Sequence, residues 1–314
     1  MSVLTFRGGT HPYDGKILSR DAAIEEIKPG EELVFPLSQH IGAPAVPIVE
    51  IGERVLAGQK IAAKSGFISA NIHSSVSGTV IKIEPRTIAT GGKVNSIVIR
   101  NDNLYEQAPP INDKNPDDMT DDEIRTVIEE AGIVGMGGAG FPTNVKLTPK
   151  NPEVIDTIIV NGAECEPYLT SDYRRMLEYT DELVKGLKIV LRLFPGARGV
   201  FGVEDNKPEA IKALKKATSG ENNIEVAVLK TKYPQGGERC MIKAVTGREI
   251  NSKMLPADAG CIVHNIDTIA SIYQAVYEGR PLTRRIVTVT GDAVNSTHNY
   301  YVYLGTNMRV LIDA

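Results

Sequence analysis

The glycine-rich segment 132–140 is the first place in the sequence where residue types and spacing suggest chemistry, because five of its nine residues are glycine. A loop without side chains lets backbone N–H groups approach a flat ring or a phosphate closely. Lys146, a few residues later, supplies a mobile cation for an anionic ligand. Gly135, Gly137 and Gly140 satisfy the dinucleotide pattern G-x-G-x-x-G, but that fingerprint follows a strand. Here the preceding segment is predicted to be a helix, so either a backbone-lined ligand site or a glycine-rich surface turn fits the pattern.

Three further loops place amides, carboxylates and glycines beside predicted strands or helix starts. They lie at 161–172, 232–239 and 263–268. The first loop follows the apolar run 155–160 directly, and α/β proteins bind ligands at the carboxyl edge of such strands. Its Asn161, Glu164 and Glu166 can hydrogen-bond ring N–H groups and ribose hydroxyls. The third loop precedes a predicted helix, whose N-terminal amides suit a phosphate. Each loop by itself is equally compatible with a simple capping role.

The hydrophobic pattern predicts the elements that must position these loops. A helix begins after Thr120, where Glu123 three residues later completes a capping box, and it ends at Gly132. Beyond it, apolar runs alternate with helical periodicity, which predicts a parallel sheet covered by helices. We predict strands at 155–160, 198–203 and 224–229, and helices at about 172–194, from Pro208, at 238–246 and at 265–278.

The sequence on either side of this alternating region is β-rich. Short apolar runs between glycine turns predict an all-β module before it, and the tail after it returns to short strands and is interpreted as the start of a small α+β module. The domain plan is an N-terminal extension at 1–30, the β module at 31–100, a linker at 101–118, the α/β domain at 119–282 and a partial domain at 283–314.

Composition excludes several classes of protein. The 35 basic and 39 acidic residues give a net charge of −4, and aromatic residues make up 5% with no Trp, which argues against nucleic-acid binding. No apolar stretch approaches the roughly 18 residues of a membrane span, and the first residues lack a signal peptide's apolar core. Three scattered Cys and five dispersed His offer no spacing for a metal site or an iron–sulfur cluster. A cytosolic protein without nucleic-acid partners is therefore expected.

In their order along the chain, the four loops resemble the flavin- and NADH-binding subunit of respiratory complex I. The shared text is G-x-G-G-A-G-F-P-T-x-x-K at 135–146, N-x-x-E-x-E-P at 161–167, Y-x-x-G-x-E at 233–238 and N-x-x-T at 265–268. The chain resembles the C subunits of Rnf electron transport complexes more closely still. The features that carry this resemblance are the β module in front and the motifs N-G-A-E-C-E-P-Y-L-T-S-D and K-Y-P-Q-G-G-E. This resemblance runs from about residue 6 to the last residue.

The resemblance implies an FMN site and an NADH site. It implies that FMN is bound by Gly135, Gly137, Gly138, Gly140, Lys146, Asn161, Glu164, Gly236, Asn265 and Thr268. It implies that NADH is bound by Phe141, Glu166 and Glu238. No side chain is expected to act as acid, base or nucleophile and no metal ligand is expected, because the flavin carries the chemistry.

The resemblance also implies a fold. The front module resembles a lipoyl/biotinyl barrel-sandwich, and the tail resembles the opening of a β-grasp, soluble-ligand-binding domain. Carrier versions of the front module expose a lysine at a hairpin tip, whereas the expected tip at 65–71 has none and Lys64 lies just outside it. A structural or docking role is therefore expected for this module. Longer relatives carry two [4Fe-4S] clusters, which are expected only in a C-terminal region absent from this chain.

The function implied is that of the NADH-oxidising flavoprotein module of a membrane-associated, ion-translocating NADH:ferredoxin oxidoreductase complex. Its partners would be the other subunits, on the cytoplasmic face of the membrane, with no transmembrane segment of its own. Two alternatives stay open: a cobalamin reductase, and a non-catalytic scaffold of a sodium-pumping NADH:quinone reductase. The chain departs from the complex I pattern at Met136, Ala163, Cys165 and Gly237. For Cys165 a packing role is favoured over a redox role, since no second thiol is near in sequence.

Overall fold

The computed structural model describes residues 3–88 and 90–314. These residues form two compact units, each assembled from separate stretches of chain. We call the first the α/β unit; it comprises the residues up to 24, 146–273 and 288–299. We call the second the β-rich unit; it comprises residues 25–145, 274–287 and 300–314.

Short strands build most of the β-rich unit, and those from β2 to β8 pair in antiparallel fashion. They are β1 (Ile24–Glu26), β2 (Glu32–Pro36), β3 (Val46–Pro47), β4 (Arg54–Val55), β5 (Lys60–Ala63), β6 (Ile72–His73), β7 (Gly78–Thr87) and β8 (Lys93–Asn101). One sheet has the order β2-β8-β7-β4 and another the order β3-β5-β6. Alternate side chains of β2 point inward, so that Leu33 and Phe35 join Ile61, Ile97 and Ile99 in one fully buried core. The expected all-β module is confirmed.

The first helix, α1 (Asp121–Glu130), has the predicted capping box. The Glu123 amide donates to Thr120 Oγ1 at 3.3 Å, and the Thr120 amide donates to Glu123 Oε2 at 2.8 Å. The apolar stripe of the helix is buried, with Ile124 and Ile128 almost inaccessible to solvent. A short helix, α2 (Thr143–Lys146), closes the glycine-rich segment that follows.

A parallel sheet with helices between its strands forms the α/β unit, as predicted. Its elements are β9 (Thr157–Gly162), α3 (Ser171–Glu178), α4 (Thr180–Arg192), β10 (Arg198–Glu204), α5 (Pro208–Ala217), β11 (Ile224–Leu229), α6 (Glu238–Thr246), β12 (Cys261–Asn265) and α7 (Ile266–Glu278). The strand order is β11-β10-β9-β12, with all three pairings parallel. The middle of β9 is fully buried, as are Val200 and Phe201 of β10.

The strand order contains one reversal, and it lies between β9 and β12. The chain runs from β9 outward through β10 to β11, and then returns to place β12 on the other side of β9. In open parallel sheets such a switch point leaves a crevice at the carboxyl ends of the two strands, where ligands bind. We call this place the switch edge: the carboxyl ends of β9 and β12 with the loops that leave them.

The tail forms β13 (Arg284–Val289), β14 (His298–Tyr303) and a last helix, α8 (Met308–Asp313). The two strands join β1 in a sheet of the order β1-β14-β13. The expectation that the tail consists of short strands was wrong for its last residues, 308–313. The Asn307 side chain accepts a hydrogen bond from the Arg309 amide at 2.9 Å, and this cap starts a helix in residues with good helix propensity. In the described part of the chain no helix has the length and apolar character of a membrane span.

Candidate functional site

Two predicted asparagines stand side by side at the switch edge. Asn161 of β9 and Asn265 of β12 are direct register partners in the parallel pairing. Asn161 Nδ2 donates to the Gly236 carbonyl at 2.8 Å, which ties the loop 232–239 to the same edge. Asn265 Nδ2 donates to Asp172 Oδ2 at 2.6 Å, at the start of α3. The structure thus brings three of the four predicted loops together.

Lys146 and Glu238 form an accessible ion pair at this edge. Lys146 Nζ donates to Glu238 Oε1 at 3.1 Å and to the Val263 carbonyl at 3.0 Å. The two side chains are 29% and 41% exposed. An ammonium carries three N–H donors, so Lys146 can still donate to an anionic ligand while it keeps these two contacts.

Glu164 is turned into the protein. Its side chain is 2% exposed, its φ is +47°, and Oε1 accepts from the Asp172 amide at 2.7 Å. Burial raises the pKa of Glu164, while the nearby ammonium groups of Lys207 and Lys16 lower it. Glu166, two residues later, is exposed on the same loop. The contact of Glu164 with a flavin stays a prediction, and Glu166 is the carboxylate that this loop presents to solvent.

Cys165 lies between these two glutamates and packs against the loop 232–239. The Gly236 amide donates to Cys165 Sγ at 3.2 Å. Burial is the largest cause that raises the pKa of Cys165 to about 11. A raised pKa disfavours the thiolate, which is the reactive form of a cysteine. The geometry supports the packing role favoured from the sequence.

The two residues predicted to contact a phosphate, Asn265 and Thr268, lie at the start of α7. Thr268 is fully buried in the first turn, and the Asp267 amide donates to Asn265 Oδ1 at 2.8 Å. Arg175 Nε in turn donates to Asp267 Oδ1 at 2.8 Å. Asn265 therefore caps the helix in addition to linking the two strand ends. The phosphate contacts of Asn265 and Thr268 stay predictions.

Two buried lysines next to the loop 161–167 were missed from the sequence. Lys207 Nζ donates to the Ala163 carbonyl at 2.6 Å and lies 3.7 Å from Glu204 Oε2. Lys16 Nζ lies 3.7 Å from Glu164 Oε2 and donates to the Glu166 carbonyl. Glu204 ends strand β10 and Lys207 follows it, so the rule that ligand sites lie at the carboxyl ends of parallel strands could have found both. No local motif marks Lys16, whose partners lie about 150 residues away in sequence.

The glycine-rich loop lies in the β-rich unit and closes on itself. The Gly135 amide donates to the Phe141 carbonyl at 2.8 Å, and residues 137–139 between them are exposed. Gly138 has a φ of +147°, and among the described residues no atom lies within 4 Å of where its Cβ would stand. The loop is therefore bare backbone beside open space. Phe141, assigned to NADH, is half-buried where the loop closes.

Both ends of this loop are fixed by the β module in front of it. Gly140 accepts a hydrogen bond from the Ile41 amide at 3.3 Å. Gly132 has a φ of +65°, and a Cβ there would stand 2.3 Å from the Asn71 carbonyl oxygen. The Asn71 side chain also donates to the carbonyl of Glu129 at the end of α1 at 3.3 Å. The barrel-like module thus sets the position of the loop, and its Lys64, just outside the expected hairpin tip, forms an ion pair with Glu129.

Replacing Gly132 by alanine is expected to destabilise the β-rich unit by at least about 2 kcal/mol, because the left-handed backbone and the contact with Asn71 both oppose a side chain. The free energy of unfolding from urea denaturation measures this. Gly52→Ala is the matched control, since Gly52 has a φ of +94° but, in the described chain, no neighbour within 4 Å of its Cβ position. Equal stability of the two variants would contradict the close approach at Gly132.

Comparison with known proteins identifies the family. The model of the Nuo51 FMN-binding domain matches residues 128–274, and the model of the RnfC barrel sandwich hybrid domain matches residues 4–104. The C subunit of the proton-translocating ferredoxin:NAD⁺ oxidoreductase complex of Clostridium ljungdahlii is 44% identical over 98% of this chain and 68% of its own length. The chain belongs to the family of Rnf complex C subunits. The resemblance inferred from the four loops is thereby confirmed.

Other relatives from this family agree with the assignment. The C subunit of the Na⁺-translocating ferredoxin:NAD⁺ oxidoreductase complex of Acetobacterium woodii is 43% identical over 98% of this chain and 70% of that protein. The C subunit of the ion-translocating oxidoreductase complex of Vibrio cholerae is 37% identical over 98% of this chain but 40% of that longer protein.

A solved structure of an NAD⁺-reducing [NiFe]-hydrogenase in the air-oxidised state shares the fold. Its TM-score is 0.54 at 22% identity, over 62% of this chain and 38% of that one. The mixed α/β fold with a parallel sheet, preceded by a barrel-sandwich module, is confirmed by the structure and the family models together.

Residues of the α/β unit fit the polar part of a flavin mononucleotide. Its polar edge and phosphate need amides and a cation, which Asn161 and Lys146 supply at the switch edge. In the β-rich unit, taken by itself, the bare backbone at Gly138 is a surface without protruding side chains, which is what a planar ring needs.

Proposed function

We propose that this chain is the NADH-oxidising FMN module of an Rnf-type complex. The observation that carries the proposal is the register pairing of Asn161 with Asn265 at the switch edge, where three of the four motif loops are joined. The match to the Nuo51 FMN-binding domain over residues 128–274 supports it. The names of the relatives from Clostridium and Acetobacterium, which specify ferredoxin:NAD⁺ oxidoreductase complexes, support NADH as the substrate.

The protein's part in this reaction is binding and alignment. Bound FMN supplies the acceptor for a hydride from NADH and releases the electrons onward. Asn161 is held by its bond to the Gly236 carbonyl, so its amide is already oriented before a ligand arrives. Lys146 provides a positive charge for the anionic part of a ligand, and Glu166 extends from the loop edge toward solvent. Fixed alignment of two reactants can supply roughly 7–11 kcal/mol of a barrier.

The domain boundaries, the electron acceptors and the partner subunits are proposed from the same family resemblance. We place an N-terminal extension at 1–30, a structural or docking barrel-sandwich module at 31–100, a linker at 101–118, the FMN/NADH domain at 119–282 and the start of a β-grasp domain at 283–314. Electrons would leave to [4Fe-4S] clusters outside this chain and finally to ferredoxin. The chain would assemble with the other subunits of an ion-translocating complex on the cytoplasmic face of the membrane.

Titration of the purified chain with FMN tests the proposal. We expect quenching of the flavin fluorescence with a micromolar or lower dissociation constant, and bleaching of the bound flavin by NADH under anaerobic conditions. Flavin fluorescence and absorbance that stay unchanged at high micromolar protein would overturn the enzyme proposal in favour of a scaffold. Bleaching followed by faster reoxidation with a corrinoid than with ferredoxin would favour the cobalamin reductase alternative.

Replacing Glu166 by glutamine is expected to raise the KM for NADH about 10-fold while the FMN dissociation constant changes less than about 2-fold. The reason is that Glu166 is exposed while its neighbour Glu164 is buried, so the substitution removes a presented charge without disturbing the loop. Steady-state oxidation of NADH with an artificial acceptor measures it. Glu153→Gln, at another exposed glutamate, is the control. An unchanged KM would show that Glu166 does not contact NADH.

A further inference from the structure

The N-terminal residues of the chain run along the carboxyl edge of the parallel sheet. The Leu4 amide donates to the Val228 carbonyl at 2.8 Å, and the Lys230 amide donates back to Leu4 at 2.9 Å. Further along, the amides of Thr10 and Tyr233 each donate to the other's carbonyl at 2.8 Å. We call residues 3–20 the N-terminal strap. It adds an extra line of backbone pairing to β11 and to the loop that follows.

The strap also fixes that loop through a side chain. Lys232 Nζ donates to the Gly8 carbonyl at 2.8 Å and to the Phe6 carbonyl, and it lies 3.8 Å from the centre of the Phe6 ring. Lys232 is 7% exposed, so its charge is satisfied almost entirely by the strap. The loop held in this way carries Gly236, whose carbonyl binds Asn161.

A second set of contacts fixes the loop after β9. The Tyr168 amide donates to the Asp14 carbonyl at 2.6 Å, and the hydroxyls of Ser19 and Thr170 lie 2.8 Å apart. Gly15, with a φ of +60°, lies against the Tyr168 ring so closely that a Cβ would stand 2.3 Å from it. The strap therefore follows the surface of this loop over several residues.

Lys16 is the centre of this second set. Its Nζ donates to the Glu166 carbonyl at 3.0 Å and to the Leu169 carbonyl at 2.5 Å, and it lies 3.7 Å from Glu164 Oε2. The two carbonyls accept hydrogen bonds from the ammonium, and the carboxylate at 3.7 Å adds an ion pair. The residue is 7% exposed, and a lysine buried to this degree needs such partners. Its partners span the part of the loop on which Glu164 and Glu166 stand.

We infer that the N-terminal strap is a working part of the candidate site, and that Lys16 is a positioning residue that sets the loop 163–170. The inference rests on the proposed function, because it assigns Lys16 an effect on a reaction through Glu164 and Glu166. The strap holds the two loops that meet at the switch edge, so a change in the strap is transmitted to both. Lys16 itself contacts protein groups, and its effect on NADH passes through the loop.

Hydrogen–deuterium exchange of the chain without added cofactor tests the structural part. We expect Lys16→Met to speed exchange of amides in 163–170 at least 10-fold, with unchanged exchange in β10. Lys188→Met is the control, because Lys188 is an exposed lysine on α4 that pairs with Glu221. Ser19→Ala, a milder change that removes the contact with Thr170, is expected to speed exchange in the same segment by a smaller factor. Unchanged exchange in both variants overturns the inference.

Kinetics with FMN-loaded protein test the functional part. We expect Lys16→Met to raise the KM for NADH at least 5-fold and to shift the midpoint potential of the flavin, while Lys16→Arg recovers part of the KM. Faster exchange in 163–170 with KM, kcat and potential all unchanged would show that Lys16 is only a structural tie, and would overturn its positioning role. Failure of the wild-type chain to bind FMN overturns the proposed function instead. The hydrogen–deuterium exchange result then decides by itself whether the strap holds the loop 163–170.

Discussion

Replacing Gly138 by valine is expected to weaken FMN binding about 100-fold or more while the protein stays folded. Among the described residues other than its two chain neighbours, no atom lies within 4 Å of where a Cβ would stand at Gly138, so the first atom of the new side chain meets no protein group. Instead it fills the space that the proposed flavin ring requires, and the φ of +147° disfavours a branched residue. A 100-fold loss corresponds to about 2.7 kcal/mol of binding free energy. Fluorescence titration with FMN measures the loss.

Gly291→Val separates the effect on FMN from the effect of backbone strain. Gly291 has a φ of +129° and, in the described chain, no atom within 4 Å of its Cβ position, so the two glycines are closely matched in conformation. We expect this control to keep normal FMN affinity and a similar melting temperature to Gly138→Val. Normal FMN affinity in Gly138→Val would show that the ring does not lie over this loop. Equal losses in both variants would attribute the effect to strain.

Replacing Lys207 by methionine is expected to lower the free energy of unfolding by about 3–5 kcal/mol at pH 8, since it removes the ammonium next to the buried Glu204 carboxylate and leaves Glu164 with Lys16 alone. Lys207 is 2% exposed, and its Nζ lies 3.7 Å from Glu204 Oε2 and 4.0 Å from Glu164 Oε2. It also donates to the Ala163 carbonyl, so the loop after β9 loses a contact as well. Urea denaturation followed by circular dichroism measures the change.

The cost of this substitution is expected to be smaller at pH 5. Burial raises the pKa of Glu204 from 4.5 to about 7, although Lys207 lowers it. A carboxyl with a raised folded-state pKa contributes stability that is fully present below its unfolded value and is lost as the pH rises through the folded value. Without Lys207 the pKa of Glu204 rises further, so the variant loses more stability on the alkaline side. A difference from wild type that grows toward acid pH would contradict this charge arrangement.

Lys212→Met is the control for this measurement, because Lys212 is an exposed lysine on the same helix, α5. Its substitution is expected to change the free energy of unfolding by less than about 0.5 kcal/mol at either pH.

Regular elements with a clear apolar period were predictable from the sequence. The capping box at Thr120, the strand 224–229 and the helix 238–246 are found where the pattern places them. The helix predicted at 172–194 is two helices that meet at Tyr179, whose φ of −129° interrupts a continuous apolar stripe. Strand β12 was not predicted, because five residues directly before a helix give too short an alternation to recognise.

The candidate site was predictable as a set of loops but not as a set of contacts. Asn161 and Asn265 were chosen from separate motifs, and only the strand order makes them neighbours. Glu164 was assigned to a flavin from its place in a motif, yet the structure surrounds it with Lys16 and Lys207. Residues that pair across more than 40 positions form no recognisable local sequence pattern. Buried ion pairs of this kind therefore become visible only once the strand order is known.

The N-terminal strap also has a consequence for how the protein is made. Leu4 forms a bridge with Leu229, so the ribosome delivers one partner 225 residues before the other. At about 5–20 residues per second this is a wait of roughly 10 to 45 seconds. The nascent chain must therefore keep the strap unpaired until Leu229 has emerged. The α/β unit is completed only after the residues of the β2-β8-β7-β4 sheet have left the ribosome.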